Sequence, residues 1–149
     1  KRNFTKEDFA FLHPGGTLGI KLLLKVQDVM GTGDRLPKVN LNASLKEVIY
    51  QITSKRFGGT CVVDAKGKLK GIITDGDLRR LLERDVRVKG IVAKDIMTSN
   101  PKTIHHTELA ARALHLMESL KINQLIVIND ANDPMGMVHI HDLVEKGLT

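Results

Sequence analysis

The sequence predicts an α/β (α+β) protein built from two copies of one small unit. Gly71 and Asp77 recur as Gly136 and Asp142, 65 residues further along the chain, and the apolar positions before them match at the same spacing. In each copy a helix with one apolar face precedes two short apolar segments separated by turn residues. Such copies normally bury their apolar faces against each other. We therefore expect two β-α-β-β-α repeats related by a pseudo-twofold axis, with a ligand-sized cleft between them.

The first copy contains the patterns of a helix, two strands and a second helix. Asn42 to Ser44 offer N-cap side chains, and the apolar residues after them have the i, i+3, i+4, i+7 spacing of a helix with one buried face. Gly58-Gly59 ends that helix, and turn residues 64–67 separate two strand patterns. The predicted elements are a helix from Leu45, strands over 60–63 and 69–74, and a helix over 75–84.

The second copy repeats this order, and a further strand is expected before the first helix of each copy. Its predicted elements are a helix over about 107–120, strands over 125–129 and 135–139, and a helix over 141–145. Three phenylalanines crowd into the first eleven positions, which indicates contact with a preceding domain. We expect a linker and the end of that domain in 1–24, the first repeat in 25–88 and the second in 89–149.

Length and composition exclude several classes of protein. The chain has 149 residues, and a copy of about 60 residues is close to the lower limit for an independent core, so the copies are expected to fold as a pair. There is no Trp and only 3% of residues are aromatic, which predicts an aliphatic core. The net charge of +6 is spread along the chain without a dense basic run, so no nucleic-acid partner is expected.

The sequence shows no targeting signal and no cysteine pattern typical of a disulfide or a reactive thiol. No apolar run approaches the roughly 18 residues of a membrane span, and no signal peptide is visible. The single cysteine, Cys61, lies in an apolar strand pattern, so we expect a buried, inert thiol and no disulfide. The expected location is the cytoplasm, with no membrane partner.

One motif carries a family resemblance. The segment Gly71 to Asp77 is Gly-Ile-Ile-Thr-Asp-Gly-Asp, a strand that ends in Gly-h-h-Thr-x-x-Asp, where h is apolar. Upstream, Asp28-Val29-Met30 is matched by Asp95-Ile96-Met97. Residues 25–149 thus resemble the CBS (cystathionine β-synthase) domain family, whose modules occur in pairs. The resemblance implies a pair that binds an adenosyl nucleotide or a sugar nucleotide between its repeats, regulates an attached protein and does not itself catalyse.

The segment before the repeats resembles a second family. Phe9 to Gly19 has the sequence Phe-Ala-Phe-Leu-His-Pro-Gly-Gly-Thr-Leu-Gly, which is similar to bacterial D-arabinose 5-phosphate isomerases. The resemblance implies a parent protein with an N-terminal sugar-isomerase (SIS) domain. That domain interconverts ribulose 5-phosphate and arabinose 5-phosphate in Kdo synthesis for lipopolysaccharide or capsule.

The same resemblance implies a catalytic role for His13 in the full-length parent. The alternative is a Pro-Gly-Gly linker turn in which His13 is a solvated side chain. Within this chain no catalysis is expected, because a lone imidazole lacks the partners that a reaction needs.

The end of the motif strand offers groups suited to a nucleotide. Asp77 provides a carboxylate for ribose hydroxyls, while Thr74 and the amides of a helix N-terminus provide donors for a phosphate. The alternative is a helix capping box in which Thr74 caps the helix and Asp77 reaches back, and both roles together are compatible. The candidate ligand-binding residues here are Ile73, Thr74, Asp77, Arg79, Arg80 and Thr98.

The second copy departs from this pattern. His139 stands where the first copy has threonine, and Asp142 follows it, so both are candidates for a second site that is re-tuned or empty. A metal site that combines them with His141 is the alternative. Because His141 is expected to begin a helix, the two imidazoles would not point the same way, and no metal is predicted.

The sequence therefore predicts a regulatory pair whose candidate effectors are AMP, ATP or a sugar nucleotide such as CMP-Kdo, with no cofactor required. Its expected partner is the SIS isomerase domain. The alternative is a ligand-free oligomerisation module of the same enzyme. Apolar residues on the outer helix faces predict a homodimer or tetramer in either case.

Overall fold

Two four-stranded sheets with their covering helices form the structure, a computed structural model that describes residues 22–84 and 87–148. The elements in chain order are α1 (Val26–Val29), β1 (Gly31–Thr32), β2 (Lys38–Asn40), α2 (Leu45–Lys55), β3 (Gly59–Val63), β4 (Leu69–Thr74), α3 (Asp75–Glu83), α4 (Ala93–Ile96), β5 (Thr98–Ser99), β6 (Thr103–His105), α5 (Ala110–Leu120), β7 (Gln124–Ile128), β8 (Pro134–His139) and α6 (Ile140–Glu145). A 3-10 turn, Gly33–Arg35, follows β1. None of the helices in the described ranges combines the length and the apolar character that crossing a bilayer requires.

Each sheet combines three strands of one copy with one short strand of the other. In the first sheet β2 is parallel to β3, β4 is antiparallel to β3, and β5 pairs with the outer edge of β4. In the second sheet β6, β7 and β8 repeat this arrangement, and β1 pairs with β8. The predicted order of elements and the twofold repetition are confirmed. The exchange of β1 and β5 was not predicted, because two-residue strands carry no alternating pattern.

The long helices α2 and α5 are capped differently. Ser44 caps α2 as predicted, since its Oγ accepts a hydrogen bond of 3.2 Å from the backbone N–H of Glu47. Helix α5 begins at Ala110, later than the predicted start near 107. Ala110 is the repeat position of Leu45, so both helices start at the same place in their copies. Leu109 gives no side-chain cap, and the backbone N–H of Ala110 donates to the carbonyl of Leu24 at 2.8 Å.

Cys61 lies in a core shared by both copies. Phe57 and Cys61 from the first copy form one buried cluster with Ile126 and Met137 from the second. Two other clusters lie between each sheet and its own helices. Burial raises the pKa of the Cys61 thiol to about 12, so the thiol is neutral at physiological pH. The predicted burial of Cys61 is confirmed.

The repeated glycines mark where each sheet receives its exchanged strand. A Cβ atom on Gly71 would lie 2.7 Å from the carbonyl oxygen of Thr98 in β5. A Cβ atom on Gly136 would lie 2.7 Å from the carbonyl oxygen of Gly31 in β1. Real Cβ atoms do not approach a backbone oxygen so closely, so only glycine allows the exchanged strands to pair.

We predict that Gly71→Ala lowers the free energy of unfolding by about 1–3 kcal/mol, because the added methyl group meets a backbone carbonyl that can move only by loosening β4 from β5. Urea denaturation midpoints measure the change. Gly76→Ala is the matched control, since the atoms nearest to its added Cβ belong to the flexible end of Arg80, at 3.3 Å, and alanine favours a helix. Equal midpoints for Gly71→Ala and the unchanged chain would contradict this explanation.

Candidate functional site

A cavity of about 540 Å³ lies between the two copies, and we call it the first cleft. The first copy contributes Gly58, the end of β4 and the first turns of α3. The second copy contributes Thr98, the segment 100–102 after β5, the segment 121–123 before β7, Gln124 at the start of β7, and His139. The cleft exists because the strand exchange carries segment 100–102 across to the end of β4.

Thr74 and Asp77 form the predicted capping box at the N-terminus of α3. The Oγ1 of Thr74 accepts from the backbone N–H of Asp77 at 3.3 Å, and Oδ2 of Asp77 accepts from the backbone N–H of Thr74 at 2.8 Å. The other carboxylate oxygen, Oδ1, accepts from Nη2 of Arg80 at 2.6 Å. The side chain of Asp77 is only 12% exposed, whereas that of Arg80 is 63% exposed. Asp77 is therefore held in place by its hydrogen bonds, whereas the guanidinium of Arg80 is accessible to other anionic groups from solvent.

The charges around the first cleft favour an anion. Its lining includes four cationic side chains and two carboxylates, namely Arg79, Arg80, Lys102 and Lys121 with Asp75 and Asp77. One carboxylate, that of Asp77, is already paired with Arg80. The N-terminus of the nine-residue helix α3 adds the positive end of its dipole.

One wall of the cleft is apolar. Ile72, Pro101 and Ile122 line it, and they come from both copies. Ile72 shares a strand face with Thr74, whereas the side chain of Ile73 points to the opposite face and is fully buried in the core of the first copy. An apolar wall beside a cationic, hydrogen-bonding rim suits a molecule with a flat apolar part and an anionic part.

The structure brings most of the sequence candidates together. Those that line the first cleft are Thr74, Asp77, Arg79, Arg80, Thr98 and His139. Ile73 lies in the core, and Asp142 lies beside neighbouring depressions. His13 lies outside the residues that the structure describes.

Sequence reasoning missed several lining residues from the second copy. Asn100, Lys102 and Gln124 are far from the motif in sequence. Asn100 and Lys102 join it through the strand exchange, and Gln124 joins it where the two copies pack, with its Nε2 donating to the carbonyl of Gly58 at 3.2 Å. Ile72 could have been found, because residues i and i+2 of a strand share a face and Thr74 was already a candidate.

His139 caps α6 as Thr74 caps α3. Its Nδ1 accepts from the backbone N–H of His141 at 3.1 Å, which leaves the proton of the neutral ring on Nε2. Partial burial lowers the pKa of His139, and His141 lowers it further, while Asp142 and Asp75 oppose the shift. Within residues 22–84 and 87–148, no group of three His, Cys, Asp or Glu side chains is arranged to hold a metal ion.

The chain matches one family over most of its length. A sequence model of the CBS domain matches residues 26–84 and again residues 93–148. The two matches correspond to the two copies that the structure contains.

Two curated relatives are isomerases. The chain is 48% identical over 147 residues to the arabinose 5-phosphate isomerase KdsD of Pseudomonas aeruginosa and 43% identical over 147 residues to KdsD of Escherichia coli K12. The matches cover 99% of this chain but 45% and 44% of those proteins. The chain thus spans less than half the length of these relatives.

Solved structures share the fold. CBSX2 of Arabidopsis thaliana, solved in complex with AMP, superposes with a TM-score of 0.69 at 23% identity, over 84% of this chain and 96% of CBSX2. A CBS domain protein from Pyrobaculum aerophilum, complexed with AMP, superposes with a TM-score of 0.72 at 18% identity, over 85% of this chain and all of the other (100%). These likenesses establish the fold as that of a CBS pair.

We predict that acid destabilises the protein through His139. Because its pKa is lowered in the folded state, the unfolded chain binds the proton more readily, and stability falls as the pH drops below about 6.5, the ordinary histidine pKa. His139→Thr, which copies Thr74, should reduce the loss of stability between pH 7.5 and pH 5, as measured by urea midpoints. His115→Gln, at an exposed position on α5, is the control. Parallel pH profiles for the unchanged chain and His139→Thr would refute the assignment.

Proposed function

Because this chain belongs to the CBS domain family, we propose that it binds an anionic nucleotide or sugar nucleotide in the first cleft and thereby regulates an arabinose 5-phosphate isomerase domain of the same polypeptide. The observation that carries the proposal is the first cleft itself. It joins an apolar wall, a held carboxylate and an excess of cationic side chains between the two copies.

The proposed contacts follow from the geometry of the capping box. Oδ1 of Asp77, now paired with Arg80, accepts a ribose hydroxyl once Arg80 turns away. The mostly exposed guanidinium of Arg80 then pairs with the phosphate, as does that of Arg79. The base lies against Ile72 and Ile122. Each group that the ligand displaces thus gains a new partner.

The proposed ligand class is AMP, ATP or CMP-Kdo. CBSX2 and the Pyrobaculum protein are both solved with AMP, which supports an adenine nucleotide. CMP-Kdo carries a phosphodiester and a carboxylate, and the four cationic side chains of the cleft support a ligand with more than one anionic group. The identity with the KdsD proteins supports a SIS isomerase domain as the partner, ribulose 5-phosphate and arabinose 5-phosphate as its substrates, a role in Kdo synthesis for lipopolysaccharide or capsule, and a cytoplasmic location.

The proposal predicts that Asp77→Ala weakens ligand binding far more than Asp142→Ala. Losing a charged acceptor for a ribose hydroxyl costs roughly 1.5–3 kcal/mol, which is about ten- to a hundredfold in affinity. Calorimetric titration with AMP, ATP, CMP and CMP-Kdo measures it, after a thermal-shift screen of the same compounds. Asp142 is the matched control because it occupies the same capping-box position in the second copy.

Stability must be read beside affinity, since both aspartates cap helices. Each substitution should lower the free energy of unfolding by about 1 kcal/mol, so the stability changes should be similar while the affinity changes differ. Equal losses of affinity would mean that the second copy binds as well. No thermal shift with any of the four compounds would refute the nucleotide proposal.

A second candidate function is subunit assembly, and exposed apolar side chains favour it. Leu82 on α3 is 72% exposed and Tyr50 on α2 is 63% exposed, and Val144 on α6 is also exposed. Such residues on neighbouring outer helices fit a homodimer or tetramer that buries them.

We predict that Leu82→Glu shifts the chain towards a monomer in sedimentation velocity, since a charge on this surface opposes its burial. The unchanged chain should sediment as a species larger than 16.5 kDa. Val88→Glu is the matched control, because Val88 is an exposed apolar residue that belongs to no helix and lies in the connection between the copies. Only a 16.5 kDa species for the unchanged chain at micromolar concentration would rule out assembly through these helices.

A further inference from the structure

The repeat creates a counterpart to the first cleft, which we call the second cleft. It consists of two depressions of about 450 and 560 Å³ that share Arg56 and Asp142 in their walls. The strand registers and the repeat spacing identify the corresponding residues as Gly31 for Thr98, Phe57 for Ile122, Val144 for Arg79 and Glu145 for Arg80. The backbone differs in one segment, because residues 33–37, which include the 3-10 turn Gly33–Arg35, join β1 to β2, whereas only residues 100–102 join β5 to β6. At the other positions the clefts differ by these side chains.

Phe57 fills the apolar part of the second cleft. Its ring is only 1% exposed and packs against the backbone of β1, where Cε2 would lie 2.9 Å from a Cβ atom on Gly31. In the first cleft the corresponding residues are Thr98, which has a side chain, and the smaller Ile122, and both line open space. The pairing of Phe57 with a glycine therefore puts an aromatic ring where the first cleft is open.

The outer face of that ring is also covered. The guanidinium carbon of Arg35 lies 5.5 Å from the centroid of the Phe57 ring, within the range of a cation–π contact. A nucleobase would have to displace Arg35 before it could stack there.

The helix that borders the second cleft carries a negative charge where the helix that borders the first cleft carries a positive charge. Helix α3 carries Arg79 and Arg80 at the first cleft, whereas α6 carries Val144 and Glu145 at the same positions. Glu145 lines the second cleft, so a carboxylate stands where the first cleft has a guanidinium for a phosphate. With this change the second cleft has three cationic side chains (Arg35, Lys55 and Arg56) and four carboxylates (Asp34, Asp75, Asp142 and Glu145), so the excess of positive charge in the first cleft is lost.

We propose that each chain binds one nucleotide, in the first cleft, because Phe57 and Glu145 close the second cleft to it. This inference rests on the proposed function and adds the number of sites and the residues that set it. The base-sized space is controlled by one repeat position, which is Ile122 in the first cleft and Phe57 in the second.

The test is a pair of reciprocal variants titrated with AMP and, separately, with CMP-Kdo in a calorimeter. The unchanged chain should bind the better of the two with a stoichiometry of one per chain. Ile122→Phe should weaken that binding at least tenfold, because it places in the first cleft the ring that fills the second. Phe57→Ile combined with Glu145→Arg should raise the stoichiometry towards two.

Circular dichroism and urea midpoints establish that each variant is folded. Because Ile122 is only partly buried, Ile122→Phe keeps the test decisive even if the Phe57→Ile chain does not fold. Two equivalents bound by the unchanged chain would overturn the inference and leave the proposed function standing. One equivalent that survives Ile122→Phe would also overturn it, whereas no binding of either compound would refute the proposed function itself.

Discussion

The exchange of two short strands between the sheets is the constraint on which the rest of this structure depends. β1 pairs with β8 and β5 pairs with β4, and each pairing requires a glycine on the receiving strand. The sulfur atoms of Met30 and Met97 lie over Gly136 and Gly71, so the methionine before each exchanged strand completes the contact. Neither copy can then separate without exposing the edge of the other's sheet, and the cleft between them has fixed walls.

The same backbone in both copies carries different chemistry. Asp64 and Asn129 build equivalent turns by accepting backbone N–H groups two and four residues further on. At one position of these turns the copies have opposite charges, and Nζ of Lys68 lies 2.9 Å from Oδ1 of Asp133 across the pseudo-twofold axis. An exposed pair like this contributes little to stability, but it shows that divergence between the copies produces complementary contacts. The two clefts also differ because equivalent positions of the two copies carry different side chains.

The sequence was sufficient for the long helices and strands and for half of the cleft, but not for the short elements α1, β1, α4 and β5. These long helices and strands of both copies follow from apolar spacing, and Thr74 with Asp77 follows from the motif, because these signals are local. The strand exchange and the lining residues Asn100 and Lys102 could not be found in this way. They come together through backbone pairing between residues far apart in sequence, and the repeated glycines that permit this pairing do not identify the strand that pairs there.

The two candidate functions meet on one helix. Helix α3 places Asp77, in its first turn, and Arg80, in its last turn, at the first cleft, and the same nine-residue helix carries the exposed Leu82. A ligand that draws Arg80 away from Asp77 changes the contacts of this helix two residues from Leu82. A ligand can shift assembly only if it binds the assembled and separate forms with different affinity. Arg80 lines the first cleft and Leu82 is exposed on the same helix, α3. A ligand that binds Arg80 could therefore bind the assembled and the separate forms with different affinity.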